Sequence, residues 1–238
     1  MNRLLPAALT LFFAAMLLAA EPATAPTAEK EEGFTSLFNG KDLSEWDGDD
    51  IHWSVVGGMI HGEATKETMQ KGGNTFLTLK GENGKPAEFG DFELRCSAKL
   101  VGGNSGIQYR SFTRPEKFVV GGYQMEICPD PKNMGKIYGE LYRGGIAAAG
   151  EKTVYGKSGK QTEKLPDYKT DSFKKDDWND YRIVCRGNHI QQYINDVLTV
   201  DLTDETKEAR TAGLIAIQIH QGYVMTIDVK NIRIKKLP

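Results

Sequence analysis

The chain has 238 residues, with 30 Lys and Arg against 32 Asp and Glu, for a formal net charge of −2. That near balance excludes the basic footprint of a nucleic-acid binder and suits a neutral or mildly polar ligand. The three cysteines, Cys96, Cys128 and Cys185, stand at spacings that match no zinc motif. In an exported chain two of them can pair and leave one odd thiol, but the alternation around Cys96 favours a buried thiol.

Residues 1–20, MNRLLPAALTLFFAAMLLAA, carry a positive start at Arg3, an apolar run and a small-residue end, as a secretory signal peptide does. The run also approaches the length of an uncleaved anchor, against which Pro6 and the small residues argue. No Cys follows it, which speaks against a lipoprotein. Residues 21–32, EPATAPTAEKEE, have no periodicity and are expected to form a disordered linker. Residues 33–238 then make a single domain, exported to the periplasm or beyond. No later stretch is apolar enough to span a membrane, so the chain is not an integral membrane protein once the leader is removed. No motif speaks to oligomeric state.

Taken in chain order, the domain is a succession of short strands. FNGKDL, with Asp42, is a turn. WSVVGGMIHG is strand, tight turn and strand, flanked by His52 and His61, which are expected at the surface. DFELRCSAKL alternates Phe92, Leu94, Cys96, Ala98 and Leu100 against Glu93, Arg95, Ser97 and Lys99, a half-buried strand with period two. SGIQYRSF and GYQMEIC alternate in the same way. Residues 129–177 are long, rich in Gly and Lys and weakly periodic; they read as a functional loop able to cover a sheet face. DYRIVCRGNHIQQYIND is a pair of strands around the Gly187-Asn188 turn, closed by Asn195-Asp196. TDETKEAR is at most one exposed helical turn. GLIAIQIHQG and YVMTIDVKNIRIKKL complete the set. Trp46, Trp53 and Trp178 are expected in the core. Many short strands separated by turns imply an all-β sandwich or jelly roll.

The strand parity sorts residues onto two faces. Ile107, Tyr109, Met125, Ile127, Ile215, Ile217 and Ile219 point to the core. Gln108 and Arg110, Gln124 and Glu126, Gln218 and His220 point the other way, with Leu214 and Ala216 as part of that face's floor. Outward polar residues are the default on antiparallel sheets. Here, however, they are amides, a guanidinium, a carboxylate and an imidazole, groups that recognise hydroxyls and carbonyls. A His beside a Glu either transfers protons near neutral pH or binds a divalent cation.

GFTSLFNGKDLSEWDG, GDFELRCSAKLVGGNSGIQYRS, GYQMEI, WNDYRIVCRGNHIQQYINDV and GLIAIQIHQGYVMTIDVKNIRIKKL, in this order, resemble the 3-keto-disaccharide hydrolase domain family across essentially the whole domain. The resemblance implies a concanavalin A-like jelly-roll β-sandwich of two antiparallel sheets. It also implies cleavage of oxidised, 3-keto glycosides by removal of the C2 proton, elimination at C1 and hydration. Mapped onto this chain, His220 is the expected base and Glu126 its acid–base partner. Arg110 stabilises the enolate or grips sugar hydroxyls. One divalent cation on Glu126 and His220 is admitted as a Lewis acid, and no organic cofactor is expected. Asn104, Gln108, Gln124 and Gln218 are expected to bind the saccharide, joined from IYGELYR by Glu140, Tyr142 and Arg143, with Tyr138 beside them. Two other roles share the fold: a carbohydrate-binding module, against which the lack of aromatics on the polar face argues, and a structural domain of the cell envelope.

Overall fold

The computed structural model describes residues 31–69 and 73–238. The leader read at residues 1–20 and nearly all of the linker lie outside the described residues. Glu31, just before the expected domain boundary, is held by Arg95 at 2.5 Å and by Arg233 at 2.9 Å.

In chain order the described residues form β1 (Thr35–Ser36), β2 (Trp46–Asp47), β3 (Trp53–Val56), β4 (Met59–Ala64), β5 (Thr75–Leu79), β6 (Glu88–Phe89), β7 (Phe92–Val101), β8 (Ser105–Thr113) and β9 (Val120–Ile127). There follow β10 (Ile137–Glu140), β11 (Gly144–Ala147), β12 (Glu151–Gly156), β13 (Gly159–Lys164), β14 (Asn179–Arg186), β15 (His189–Ile194), β16 (Val197–Asp204), β17 (Gly213–Ile219) and β18 (Met225–Lys236). One sheet runs β13-β12-β16-β15-β14-β7-β18-β4-β3, with β1 on β18. The other runs β11-β10-β9-β8-β17-β5-β2, with β6 on β17. The pairings are antiparallel apart from β12 on β16, which is parallel. This is the expected jelly-roll sandwich, with one parallel pair that strand alternation does not announce.

Local sequence explains the frame. Gly57 and Gly58 both take positive φ, at 57° and 74°, and close the tight turn between β3 and β4. Asn195 and Asp196 do the same between β15 and β16, at 48° and 64°. In β7 burial alternates along the strand as the residues do. Its inner side chains meet Ile107, Tyr109, Tyr123, Met125, Ile127, Ile215, Ile217 and Ile219 of the opposite sheet in one core. Burying each such isoleucine contributes roughly 1.5–3 kcal/mol.

Several expectations are corrected. Residues 129–177 do not form a lid: β10 and β11 extend one sheet beyond β9, and β12 and β13 extend the other beyond β16. Of these four, only β11 and β13 are terminal strands of their sheets, and in β13 exposed Lys and Glu replace an apolar face, which makes its periodicity faint. Trp46 and Trp53 are core residues, whereas Trp178 is half-buried under the ammonium of Lys230, 3.9 Å from the ring centroid. His52 is buried rather than superficial, with Nδ1 2.7 Å from Asp49. All three cysteines are free and buried, and burial pushes the Cys96 and Cys185 thiols up to about 12 and that of Cys128 to about 11. Among the described residues, no helix is long and apolar enough to cross a membrane.

Candidate functional site

The outer face of the β11–β2 sheet has two zones. Phe76, Val120, Leu214 and Ala216 form a small apolar cluster, over which the β8–β9 connection folds: Phe118 O accepts from Phe76 N at 2.9 Å. Leu214 and Ala216, expected as the floor of the polar face, belong to this covered apolar cluster and do not line the polar cavity. Beside this cluster lies the polar zone. Asn104 before β8, Gln124 and Glu126 on β9, Lys136 before β10, Tyr138 and Glu140 on β10, and His220 after β17 line a cavity of about 270 Å³. The alternation on β9 and β10 sends each of these side chains to the same side as its cross-strand neighbours, Tyr138 opposite Gln124.

Beneath the cavity runs a chain of side-chain amides. Ser111 Oγ donates to Gln108 Oε1 at 2.5 Å, and Gln108 Nε2 donates to Gln124 Oε1 at 2.7 Å. Gln124 Nε2 donates to Glu126 Oε2 at 3.1 Å and to Gln218 Oε1 at 3.3 Å. Asn104 Nδ2 donates to Glu126 Oε1 at 2.6 Å. Both Glu126 oxygens accept amide N–H groups, so Glu126 sets which way Gln124 points and, through it, Gln108. Gly106 makes the arrangement possible. It is paired with Glu126 across β8 and β9, and a β-carbon on it would collide with Cγ and Cδ of Gln124. With no side chain there, Gln124 lies over β8 and reaches Gln218 on β17.

Glu140 closes one side of the cavity. Burial raises its carboxyl above the usual range and the charge of Glu126 adds to that. Asn74, donating to Oε1 at 2.9 Å, pulls it back only in part, as do His220 and Gln218. His220 Nδ1 lies 2.7 Å from the carbonyl of Gln221. A carbonyl cannot donate, so Nδ1 is the donor in this contact, and of the two neutral tautomers the one that fits carries its lone pair on Nε2. The Lys136 ammonium lies over the Tyr138 ring at 5.1 Å and donates to Asn133 Oδ1 at 2.9 Å. Together these groups place an imidazole, a carboxyl with a raised pKa and a cation around a space bordered by amides.

Of the expected site residues, Asn104, Gln124, Glu126, Glu140 and His220 come together at the cavity wall. Gln108 and Gln218 are fully buried beneath it, so they position neighbours. Three expectations are corrected. Arg110 is 0% exposed, and its guanidinium donates to Gly90 O at 3.0 Å, to Gly187 O at 2.6 Å and to Asp91 at 2.9 Å. A bulge between Tyr109 and Phe112, with Arg110 at φ 46°, breaks the parity and turns the side chain away from the cavity. Tyr142 packs edge-on against Phe112 and Tyr123. Arg143 pairs with buried Asp204 and donates to Thr206 Oγ1 at 2.6 Å. Both therefore anchor the β10–β11 turn and do not reach the cavity. Lys136 and Asn74 were missed. The alternation Lys136, Tyr138, Glu140 in KIYGE is the signal that finds the first, while only the fold brings Asn74 to Glu140.

Glu126 and His220, the expected metal ligands, do share the cavity. Yet each Glu126 oxygen already accepts an amide N–H, and the Lys136 ammonium lines the same space. Among the described residues no three His, Cys, Asp or Glu side chains are grouped to hold one ion. The donor set does not fit a divalent cation.

No curated protein sequence matches the chain. Among solved structures it is similar to a candidate glycosyl hydrolase from Parabacteroides distasonis, at 20% identity and a TM-score of 0.57, covering 86% of this chain and 99% of that one. It is similar also to the carbohydrate-binding module CBM66 from Bacillus subtilis, at 14% identity and a TM-score of 0.50, covering 86% and 96%. A Bacillus subtilis protein with a galectin-like fold is a third neighbour, at 9% identity and a TM-score of 0.53, covering 82% and 90%. At these identities the likenesses show the fold. The family assignment rests on a sequence match over residues 33–235, by which the chain belongs to the 3-keto-alpha-glucoside-1,2-lyase-like domain family, a family of carbohydrate-active domains.

Proposed function

We propose that the cavity cleaves glycosides whose sugar ring has been oxidised to a ketone at C3. The observation that carries this reading is the orientation of His220: with Nδ1–H bound to Gln221 O, Nε2 is the ring nitrogen left to act as base at the edge of a cavity that also holds a buried carboxyl with a raised pKa. A C3 ketone acidifies the C2 proton. His220 Nε2 takes that proton and the C2–H electrons form the enolate, whose oxygen meets the Lys136 ammonium. Collapse of the enolate restores the ketone, forms C1=C2 and breaks the C1–O bond, while Glu140 gives its proton to the departing oxygen. Water then adds: its hydroxyl goes to C1, its proton to the Glu140 carboxylate, and His220 returns the proton to C2. The net result is hydrolysis. Glu126, Asn104 and Gln124 supply donors and acceptors for the ring hydroxyls. With the leader read at residues 1–20, the proposal sets this chemistry in the periplasm or outside the cell.

The test is turnover of a 3-keto-glucoside by the purified chain, in chelator, following free 3-keto-glucose and the C1=C2 elimination product. Wild type is expected to release both, and to exchange the C2 hydrogen for deuterium in D2O. His220→Ala is expected to lose about 10²–10⁴-fold in rate with an unchanged melting temperature. Saccharide binding without exchange or turnover would instead make this a binding module. Normal turnover by His220→Ala would remove the base assignment.

A further inference from the structure

A second cavity, also about 270 Å³, adjoins the first and is bordered by Asn74, Arg114, Glu116, Val119, Leu141 and Gln221. The two cavities share a wall. Asn74 Nδ2 donates to Glu140 Oε1 at 2.9 Å, and Asn74 Oδ1 accepts from Gln221 N at 3.0 Å. The residues that follow Glu140 and His220 in the chain, Leu141 and Gln221, face the second cavity while Glu140 and His220 face the first. The carboxyl with the raised pKa therefore stands at the junction. In a glycoside spanning both cavities, that junction is where the oxygen between sugar and leaving group lies.

The second cavity differs in chemistry. Leu141 is 51% exposed and sits at φ 44°, in the left-handed region that favours Gly or Asn. A leucine there bears backbone strain and solvent exposure together and packs into neither apolar cluster of the fold. Strain of this kind persists where a function needs the side chain. Val119 adds apolar surface from the β8–β9 connection, and the exposed guanidinium of Arg114 has no hydrogen bond or ion pair among the described residues. A guanidinium beside branched apolar side chains suits the face of an aromatic ring.

We infer that this second cavity is the leaving-group subsite and that it takes an aromatic, phenol-type aglycone, with Leu141 as its principal contact. The inference rests on the first cavity holding the sugar, but its test needs no chemistry. Binding of methyl glucoside, 4-nitrophenyl glucoside and a glucosyl-glucose disaccharide, in both anomeric forms, is measured on the full chain by NMR titration. The aryl glucoside is expected to bind at least about tenfold more tightly than the methyl glucoside. Leu141→Gly is expected to abolish that advantage and to leave the melting temperature unchanged or raised, since glycine relieves the left-handed strain. Equal aryl and methyl binding would overturn the inference. So would a disaccharide bound as tightly as the aryl glucoside, which would make the subsite a sugar site. A Leu141→Gly variant that keeps the aryl preference, or that melts several degrees lower, would also overturn it. Absence of turnover on 3-keto substrates sinks the proposed reaction alone, and turnover without aryl preference sinks this inference alone.

Discussion

The side chain of Gln124 lies directly across Gly106, on the neighbouring strand, and through that gap its amide reaches both Glu126 and Gln218. Gly106 has no left-handed φ, so alanine fits its backbone and the collision is purely steric. Gly106→Ala is expected to cost about 1–3 kcal/mol by overpacking, lowering the melting temperature by roughly 3–10 °C. Turnover is expected to fall with it, because Glu126 loses one of its two amide donors. An unchanged melt and rate would show that Gln124 has other room.

Gln108 touches no ligand in this arrangement, yet it sets the direction of Gln124. Gln108→Leu leaves the buried Gln124 Oε1 without its donor, a loss of about 1–3 kcal/mol. Ser111 Oγ keeps acceptors at Tyr109 O and Tyr123 O, so the damage falls on Gln124. A positioning role predicts a lower kcat with little change in KM, read from steady-state kinetics. A purely structural role would lower the melting temperature and leave kcat per folded molecule intact.

Glu140 links stability to pH. Its folded-state pKa lies above the usual glutamate value of 4.5, chiefly through burial. The native state therefore holds its proton more tightly than the unfolded chain, and stability falls as pH rises from about 4.5 through the raised value. Glu140→Gln is expected to flatten that decline, to be the more stable protein at neutral pH in a urea series, and to be slow in turnover because it cannot give up a proton. A parallel pair of stability–pH curves would remove the raised carboxyl from the account.

Arg143 holds the turn that presents Glu140. Its partner Asp204 is buried and also accepts from the Tyr123 hydroxyl at 2.5 Å. Burial pushes the Asp204 carboxyl up, but Arg143, Tyr123 and Thr206 together bring it below the usual value. Arg143→Met strips the charge partner from a buried carboxylate and is expected to cost about 3–5 kcal/mol. The expected signature is a large drop in chemical stability with the far-UV β spectrum retained. Loss of less than about 1 kcal/mol would mean that Tyr123 and Thr206 suffice.

Some of the site could be read along the strands because period two carries over a straight strand. Gln124, Glu126 and Gln218 fall on one face, as does Gln108, and the isoleucines of GLIAIQIHQG fall on the other. Arg110 escaped because a single bulge reverses parity, and nothing in SGIQYRSF marks the bulge. Glu140 was named, but its neighbours Tyr142 and Arg143 were grouped with it: the chain turns after Glu140 and sends them toward Asp204. Lys136 precedes β10, a four-residue strand too short for its alternation to stand out from the loops around it.

The sequence by itself determined the sandwich, its inner faces and the identity of the domain family, because these depend on local alternation and on ordered motifs. It also determined that a base, a carboxylate and amides share one sheet face. The tertiary structure alone decided which of them meet. Asn74 reaches Glu140 across 66 positions and Gln124 reaches Gln218 across 94. It decided too that Arg110 anchors the frame and that burial beside Asn74 raises the Glu140 carboxyl above its usual range. Those outcomes depend on burial, on the charge of a neighbouring strand and on the space above one glycine, and none of these is a property of consecutive residues.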